Sequence, residues 1–306
     1  LAWLGALRLP RLPLMLRRAA SRLGIWQPRL QPLSPAGGVI LGDVGGRDLQ
    51  LHELSDIELA AVRTEFREKG AGVLLARGQR PGDEAGLRRA ARAVGCGPLL
   101  ETAKGPVQPY ATRGRRGTPA AETPRGSDFW HQDNSYLAQP SRYTALYATG
   151  QVPADEGDTE FAHLASAWKA WPGDESLKTA VRGLMAWHCH AHNCGHPHPQ
   201  HARGARRPPQ RHGLVRRHPL TSVEALFLSP CYLKGPDVEP GESAQKASAL
   251  IQELTAFASS APFVFSHRWR PGDLLFWDNH LVMHRASTIH MSPDSVRVMF
   301  RLSFGD

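Results

Sequence analysis

The stretch FWHQDNSY (residues 129–136) sets a histidine and an aspartate two positions apart among aromatic side chains. On a strand, residues i and i+2 share a face, so His131 and Asp133 can aim an imidazole nitrogen and a carboxylate oxygen into one cavity. The pair alone does not define a metal site, because the same spacing arises by chance in many chains. A facial site for non-haem Fe(II) needs one more histidine and leaves positions open for substrates. His284, in GDLLFWDNHLVMHRAS, follows a strand-like apolar run and stands 151 positions after Asp133 (284 − 133). It could reach that cavity from a strand on the far side of a barrel, or be a satisfied core histidine.

The rest of the chain bounds the setting. Its 306 residues can bury a sizeable core, as one large domain or two smaller ones. Hydrophobic residues make up 41%, and no apolar run approaches the ~20 residues a membrane span needs. The net charge of +9, mostly arginine, fits a nucleic-acid surface, anionic small substrates or a basic leader. No nucleic-acid module is recognisable, so no nucleic-acid partner is expected. The four cysteines, Cys96, Cys189, Cys194 and Cys231, form no CxxC pair and are expected to be reduced thiols.

Residues 1–36 read as a basic, Arg- and Pro-rich segment without acidic residues, either a targeting leader or a disordered arm. The folded body is expected over 37–306, in an intracellular compartment: cytoplasmic, or mitochondrial or plastid if the leader is a transit segment. Ser55 and Glu58 form a capping-box pattern that opens a helix running to Gly70, followed by a buried strand in GVLLARG (72–78) and a second helix over 81–95. Residues 104–128, rich in Gly, Pro, Thr and Arg, read as a long loop leading into the His131 segment. Beyond it, short β-like runs such as RYTALYA, DTEFA, FVFSHRWR and RVMFRLSF alternate with turn residues, with helical pieces around 164–186 and 243–259. Many short strands with few helices argue for a β-sandwich or barrel. The His-rich tract around His188–His201 matches no closed zinc module and reads as a loop.

Four stretches occur in a telling order: WHQDNSY, VPADEGDTEFA, RWRPGDLLFWDNHLVMHRA and RVMFRLSFGD. Together they resemble the Fe(II)/2-oxoglutarate-dependent dioxygenases of the taurine dioxygenase (TauD/TfdA) family, and the likeness extends over nearly all of residues 37–306. The resemblance implies a mainly β fold with packed helices, a double-stranded β-helix or jelly roll. It makes His131, Asp133 and His284 the iron ligands and catalytic centre, and Thr159 and Arg297 the holders of the cosubstrate 2-oxoglutarate. Arg301 would face the substrate's anionic end, with Asn134 and Tyr136 bordering the substrate cavity. Arg297 follows His284 by 13 positions (297 − 284), somewhat more than the family's usual spacing, so its role and that of Arg301 could be exchanged. Taurine itself is not the expected substrate, because VGCGPLLETAKGPVQPY holds no histidine where taurine-specific members have one; Glu101, Thr102, Lys104 or Tyr110 could line the pocket instead.

The implied activity is an oxidoreductase reaction. A small, anionic organic substrate is hydroxylated with Fe(II), 2-oxoglutarate and O2, giving succinate and CO2 as co-products. The alternatives are the same iron chemistry on a larger lipid-like or amino-acid-derived substrate, and a catalytically silent jelly-roll binding protein. The expected partner is a small molecule, with a homo-oligomer as a further expectation.

Overall fold

The computed structural model describes residues 29–42, 48–101, 105–113, 129–190, 208–287, 291–292 and 294–305. The expected leader therefore lies outside the described residues up to position 28. Strands β1 (Arg29–Ser34) and β2 (Gly37–Gly42) pair as an antiparallel hairpin, so the sheet takes in residues ahead of Gly37. Helix α1 (Asp56–Arg63) opens on the expected capping box, continues as a π-turn over Thr64–Glu68, and stops at Gly70, whose φ of +69° suits glycine. Strand β3 (Val73–Ala76) and helix α2 (Glu84–Ala93), capped by Asp83, follow.

Strand β4 (Val107–Arg113) runs inside the stretch read as a long loop. It contains Pro109, and it sits at the outer edge of its sheet, where a residue without an N–H is tolerated. Next come β5 (Tyr143–Ala148), β6 (Thr159–His163), α3 (Leu164–Ala170), α4 (Glu175–Gly183) and β7 (Met185–His188). Strands β8 (Gln210–Gly213), β9 (Val215–Arg217), β10 (Glu224–Leu226) and β11 (Leu233–Pro236) lead to the 17-residue helix α5 (Glu242–Ala258). The chain closes with β12 (Val264–His267), β13 (Leu274–Asp278), β14 (Val282–Ala286) and β15 (Val296–Phe304).

A seven-stranded sheet in the order β1-β2-β3-β13-β5-β15-β4 forms one layer. Its pairings are antiparallel except β2 with β3. Two three-stranded sheets, β12-β6-β14 and β11-β7-β8, and the β9–β10 pair complete the strands. Neighbouring residues of the large sheet enter different cores, as period-two geometry requires. Leu75, Leu146 and Trp277 join Phe161, Ala162 and Met283 from β6 and β14. Leu74, Ala145 and Phe276 instead join Val62, Phe66, Leu87 and Ala91, from or just beyond α1 and α2. Strands β3 and β13 are buried on both faces, which explains their continuous apolar runs, VLLA and LLFWD. This is the jelly roll expected from the sequence, with helices packed outside one sheet. Among the described residues no helix is long and apolar enough to cross a membrane.

Candidate metal and cosubstrate site

His131, Asp133 and His284 come together, each buried, with one ligand atom from each lying within 4.8 Å of the others. Among the described residues this is the one such group of three. The route differs from the expectation of facing strands. His131 forms an isolated bridge with His284, exchanging both backbone hydrogen bonds (3.0 and 2.9 Å), and their rings lie 4.2 Å apart. Asp133 begins a turn rather than extending a strand, and still aims into the same cavity. Strand β14 holds His284 in register opposite Phe161 of β6.

The donor set fits a divalent metal. Oδ1 of Asp133 is 3.9 Å from Nε2 of His131 and 3.9 Å from Nε2 of His284, too far for a hydrogen bond to either. The fully buried His218–Asp278 pair shows the contrast, closing to 2.9 Å in a direct hydrogen bond. Nδ1 of His131 lies 2.8 Å from the Phe129 carbonyl oxygen. That oxygen can only accept, so the proton resides on Nδ1 and the Nε2 lone pair faces the cavity.

Electrostatics keep the donors in ligating form. Burial would raise the Asp133 carboxyl pKa, but Arg301, His284, His131 and the Thr144 hydroxyl together hold it below the usual carboxylate range. Arg301 supplies the closest of these charges, its Nη2 2.7 Å from Oδ1. Burial pushes the His284 pKa down to about 3, helped by His131 and Arg301 and opposed by Asp133, so the imidazole is neutral near pH 7. Two neutral imidazoles and one carboxylate are the donor set of non-haem Fe(II) sites with open positions.

Arg297 is buried (1% exposed), and its guanidinium donates to the Gly157 carbonyl. Gly157 takes a φ of +71°, a left-handed conformation that favours glycine, and a Cβ there would crowd Sδ of Met291 at 3.0 Å. Two residues on, Oγ1 of Thr159 accepts a hydrogen bond from Nε1 of Trp269 at 2.9 Å. With that acceptor site used, the hydroxyl proton is available for an incoming carboxylate. Asn134 is spent locally: its Nδ2 donates to Ser141 and its Oδ1 accepts from the Tyr136 hydroxyl. The Tyr136 ring packs 4.2 Å from His190 and 4.8 Å from Tyr232. The Tyr232 ring in turn lies edge-on to His131, their centroids 6.2 Å apart. Of the other pocket candidates, Glu101 is exposed, and Thr102 and Lys104 lie outside the described residues.

Sequence reasoning missed Tyr232, Trp269, Thr144 and Asn279. The first follows Cys231 after a strand-like run with no motif around it. The other three sit within stretches quoted for different reasons. His188, read as part of a histidine-rich loop, is instead in β7 and fully buried, and the tract from 191 to 207 lies outside the described residues.

A jelly roll that gathers two histidines and a carboxylate, with Arg301 against the carboxylate, has the donor arrangement of the facial-triad class of non-haem metal centres. Residues 29–303 match the family model described as taurine catabolism dioxygenase TauD, TfdA family, and the chain belongs to that family. It is 33% identical over 171 residues to the alpha-ketoglutarate-dependent 2,4-dichlorophenoxyacetate dioxygenase of Cupriavidus pinatubonensis, covering 54% of this chain and 56% of that one. It is 30% identical over 177 residues to the (S)-phenoxypropionate/alpha-ketoglutarate-dioxygenase of Sphingobium herbicidovorans, covering 55% and 59%. The chain thus spans somewhat over half the length of the curated relatives it matches. In three dimensions it resembles AAD-2 crystallised with Mn(II) and N-oxalylglycine, at TM-score 0.71 and 21% identity over 91% of this chain and 97% of that one. A taurine dioxygenase from Burkholderia xenovorans gives TM-score 0.69 at 23% identity, covering 91% of each chain. Those two likenesses speak to the fold.

Proposed function

We propose that the protein is an Fe(II)- and 2-oxoglutarate-dependent dioxygenase that hydroxylates a small organic anion. The observation that carries this reading is the buried His131–Asp133–His284 group with Arg301 against its carboxylate. When bound, Fe(II) with 2-oxoglutarate and O2 supplies the oxidising power to replace C–H by C–OH, releasing succinate and CO2. The chain's own residues bind and orient. His131, Asp133 and His284 hold the metal from one side and leave the other side open. Arg297 grips the distal carboxylate of the 2-oxo acid with a planar guanidinium, and the Thr159 hydroxyl donates to the same carboxylate. Arg301 meets the substrate's anionic end, and Tyr136 borders the cavity. Asn134 acts less directly, bracing the turn that carries Tyr136. The intact donor set favours an enzyme over a silent binding protein.

The rings of Tyr136, Tyr232 and His190 pack on one another, with Tyr232 edge-on to His131 at 6.2 Å, and favour a flat, aromatic acid among small anions. That suits a chain whose relatives are named for 2,4-dichlorophenoxyacetate and phenoxypropionate. The test is anaerobic addition of Fe(II) and 2-oxoglutarate to the metal-free protein. A visible charge-transfer band is expected in wild type and lost in Asp133→Ala. No band in wild type would sink the reading. Succinate release is then expected to be faster with aryloxy acids than with taurine.

A further inference from the structure

Three buried side chains behind the carboxylate ligand, Trp277, Asn279 and Thr144, form a chain of hydrogen bonds whose direction can be read without ambiguity. Oδ1 of Asn279 lies 3.1 Å from the backbone N–H of Asp133 and 3.1 Å from Nε1 of Trp277. Both partners can only donate, so the amide oxygen must face them and the amide nitrogen must face away. That nitrogen, Nδ2, donates to Oγ1 of Thr144 at 3.1 Å. The hydroxyl proton is therefore turned to the remaining neighbour, Oδ2 of Asp133, 2.7 Å away. Register fixes the arrangement, since Thr144 on β5 lies directly opposite Trp277 on β13. Asn279 is further anchored by its carbonyl, which accepts from Nε2 of Gln132 at 2.6 Å. Thr144 is fully buried and Trp277, Asn279 and Asp133 nearly so, leaving water little access to these bonds.

We infer that Asn279 and Thr144 are positioning residues that reserve Oδ2 of Asp133 and present only Oδ1 to the metal. Oδ1 is the oxygen that stands at equal distance from both imidazoles, and its close neighbour is the Arg301 guanidinium, 2.7 Å away, which stabilises the carboxylate charge without taking up Oδ2. The consequence is chemical. A carboxylate binding through both oxygens would fill a coordination position that the 2-oxo acid and O2 require, whereas one oxygen leaves it open. The inference rests on the triad being the metal site, and it adds how that site is kept from closing on itself.

Thr144→Val tests it, since valine keeps the shape and removes the hydroxyl, and Co(II) is the probe. Co(II) affinity of Thr144→Val is expected to fall by about 10–100-fold, the usual cost of losing an outer hydrogen bond to a metal ligand. Its ligand-field bands, which report coordination number, are expected to shift, and Thr144→Ser is expected to restore both. Thermal melts of the metal-free variants separate this from misfolding. Should Thr144→Val not fold, Thr144→Ala is compared with Thr144→Ser in the same way. Wild-type affinity and spectrum in the variant lacking the hydroxyl would overturn the inference and leave the triad reading intact. Equal losses in Thr144→Ser and Thr144→Val would overturn it too, because packing rather than the hydroxyl would be at work. Absence of any Asp133-dependent Co(II) binding in wild type would remove both readings.

Discussion

Two pairs of buried histidines face each other across neighbouring backbone segments in this protein. His131 and His284 have ring centroids 4.2 Å apart, and His188 and His212, from β7 and β8, have theirs 5.4 Å apart. Burial is the largest cause lowering the pKa of both His284 and His188, in each case to about 3. Ring proximity and depressed basicity therefore do not separate the two pairs. What differs is the third group. Asp133 stands 3.9 Å from Nε2 of both rings of the first pair, while the second pair packs on Phe227, 5.2 Å from each ring, with Arg216 nearby. A cation gains from the Asp133 carboxylate, which also offsets the Arg301 guanidinium beside it, and no carboxylate joins the second pair among the described residues, so the first pair is the candidate ligand set.

The largest effect expected is at the carboxylate. Asp133→Asn keeps the shape but removes the charge and is expected to weaken Co(II) binding well beyond the 10–100-fold typical of an outer residue. His188→Leu is expected to leave the Asp133-dependent Co(II) site at full affinity. Equilibrium titration of both variants checks the contrast, and equal losses would erase the distinction between the two pairs.

A smaller effect is expected where the first site extends towards the cosubstrate. Thr159→Val removes one hydrogen bond to a charged group, so the affinity of the Fe(II) protein for 2-oxoglutarate should fall on the order of tenfold. The amplitude of the charge-transfer band against 2-oxoglutarate concentration reads this directly. An unchanged curve would mean that the hydroxyl, although tied to Trp269, does not touch the cosubstrate.

The same contrast shows what could be read from the chain. HQD and the later DNHLVMH carry residue types that a metal site can use, and it was their order with GDTEF that brought out the family and the fold. Their direct backbone bridging could not be read, because 153 positions separate His131 from His284 (284 − 131) and pairing over such distances leaves no local trace. Strand β4 escaped because Pro109 and its neighbours look like loop, and only an edge position makes them acceptable in a sheet. Thr144 escaped for the opposite reason. It is one polar residue in the apolar run YTALYA, with nothing in the pattern to show that its hydroxyl meets a carboxylate rather than a backbone carbonyl. His188 was grouped with a histidine-rich tract by composition, whereas the strand period of MAWH puts it and Ala186 on the buried face.

The smallest effect belongs to the second pair, and its sign follows from proton counting. His188 is fully buried, and neither ring nitrogen has a hydrogen-bond partner among the described residues. Burial, followed by His212 and Arg216, lowers its folded-state pKa to about 3, against 6.5 for the exposed imidazole. As pH falls below 6.5 the unfolded chain takes up a proton that the folded chain refuses, so stability present above that pH is progressively lost towards pH 3. A single group of this kind removes about 1 kcal/mol between pH 7 and pH 5.5. His188→Leu fills much of the same apolar space without the titrating nitrogen, and its stability relative to wild type is expected to improve by that amount over that interval. Urea unfolding of both proteins at the two pH values measures it. Parallel pH dependences would mean that His188 finds a hydrogen-bond partner in solution. The second pair would then be a polar device like the first, rather than two imidazoles that stay uncharged because no carboxylate among the described residues holds a cation between them.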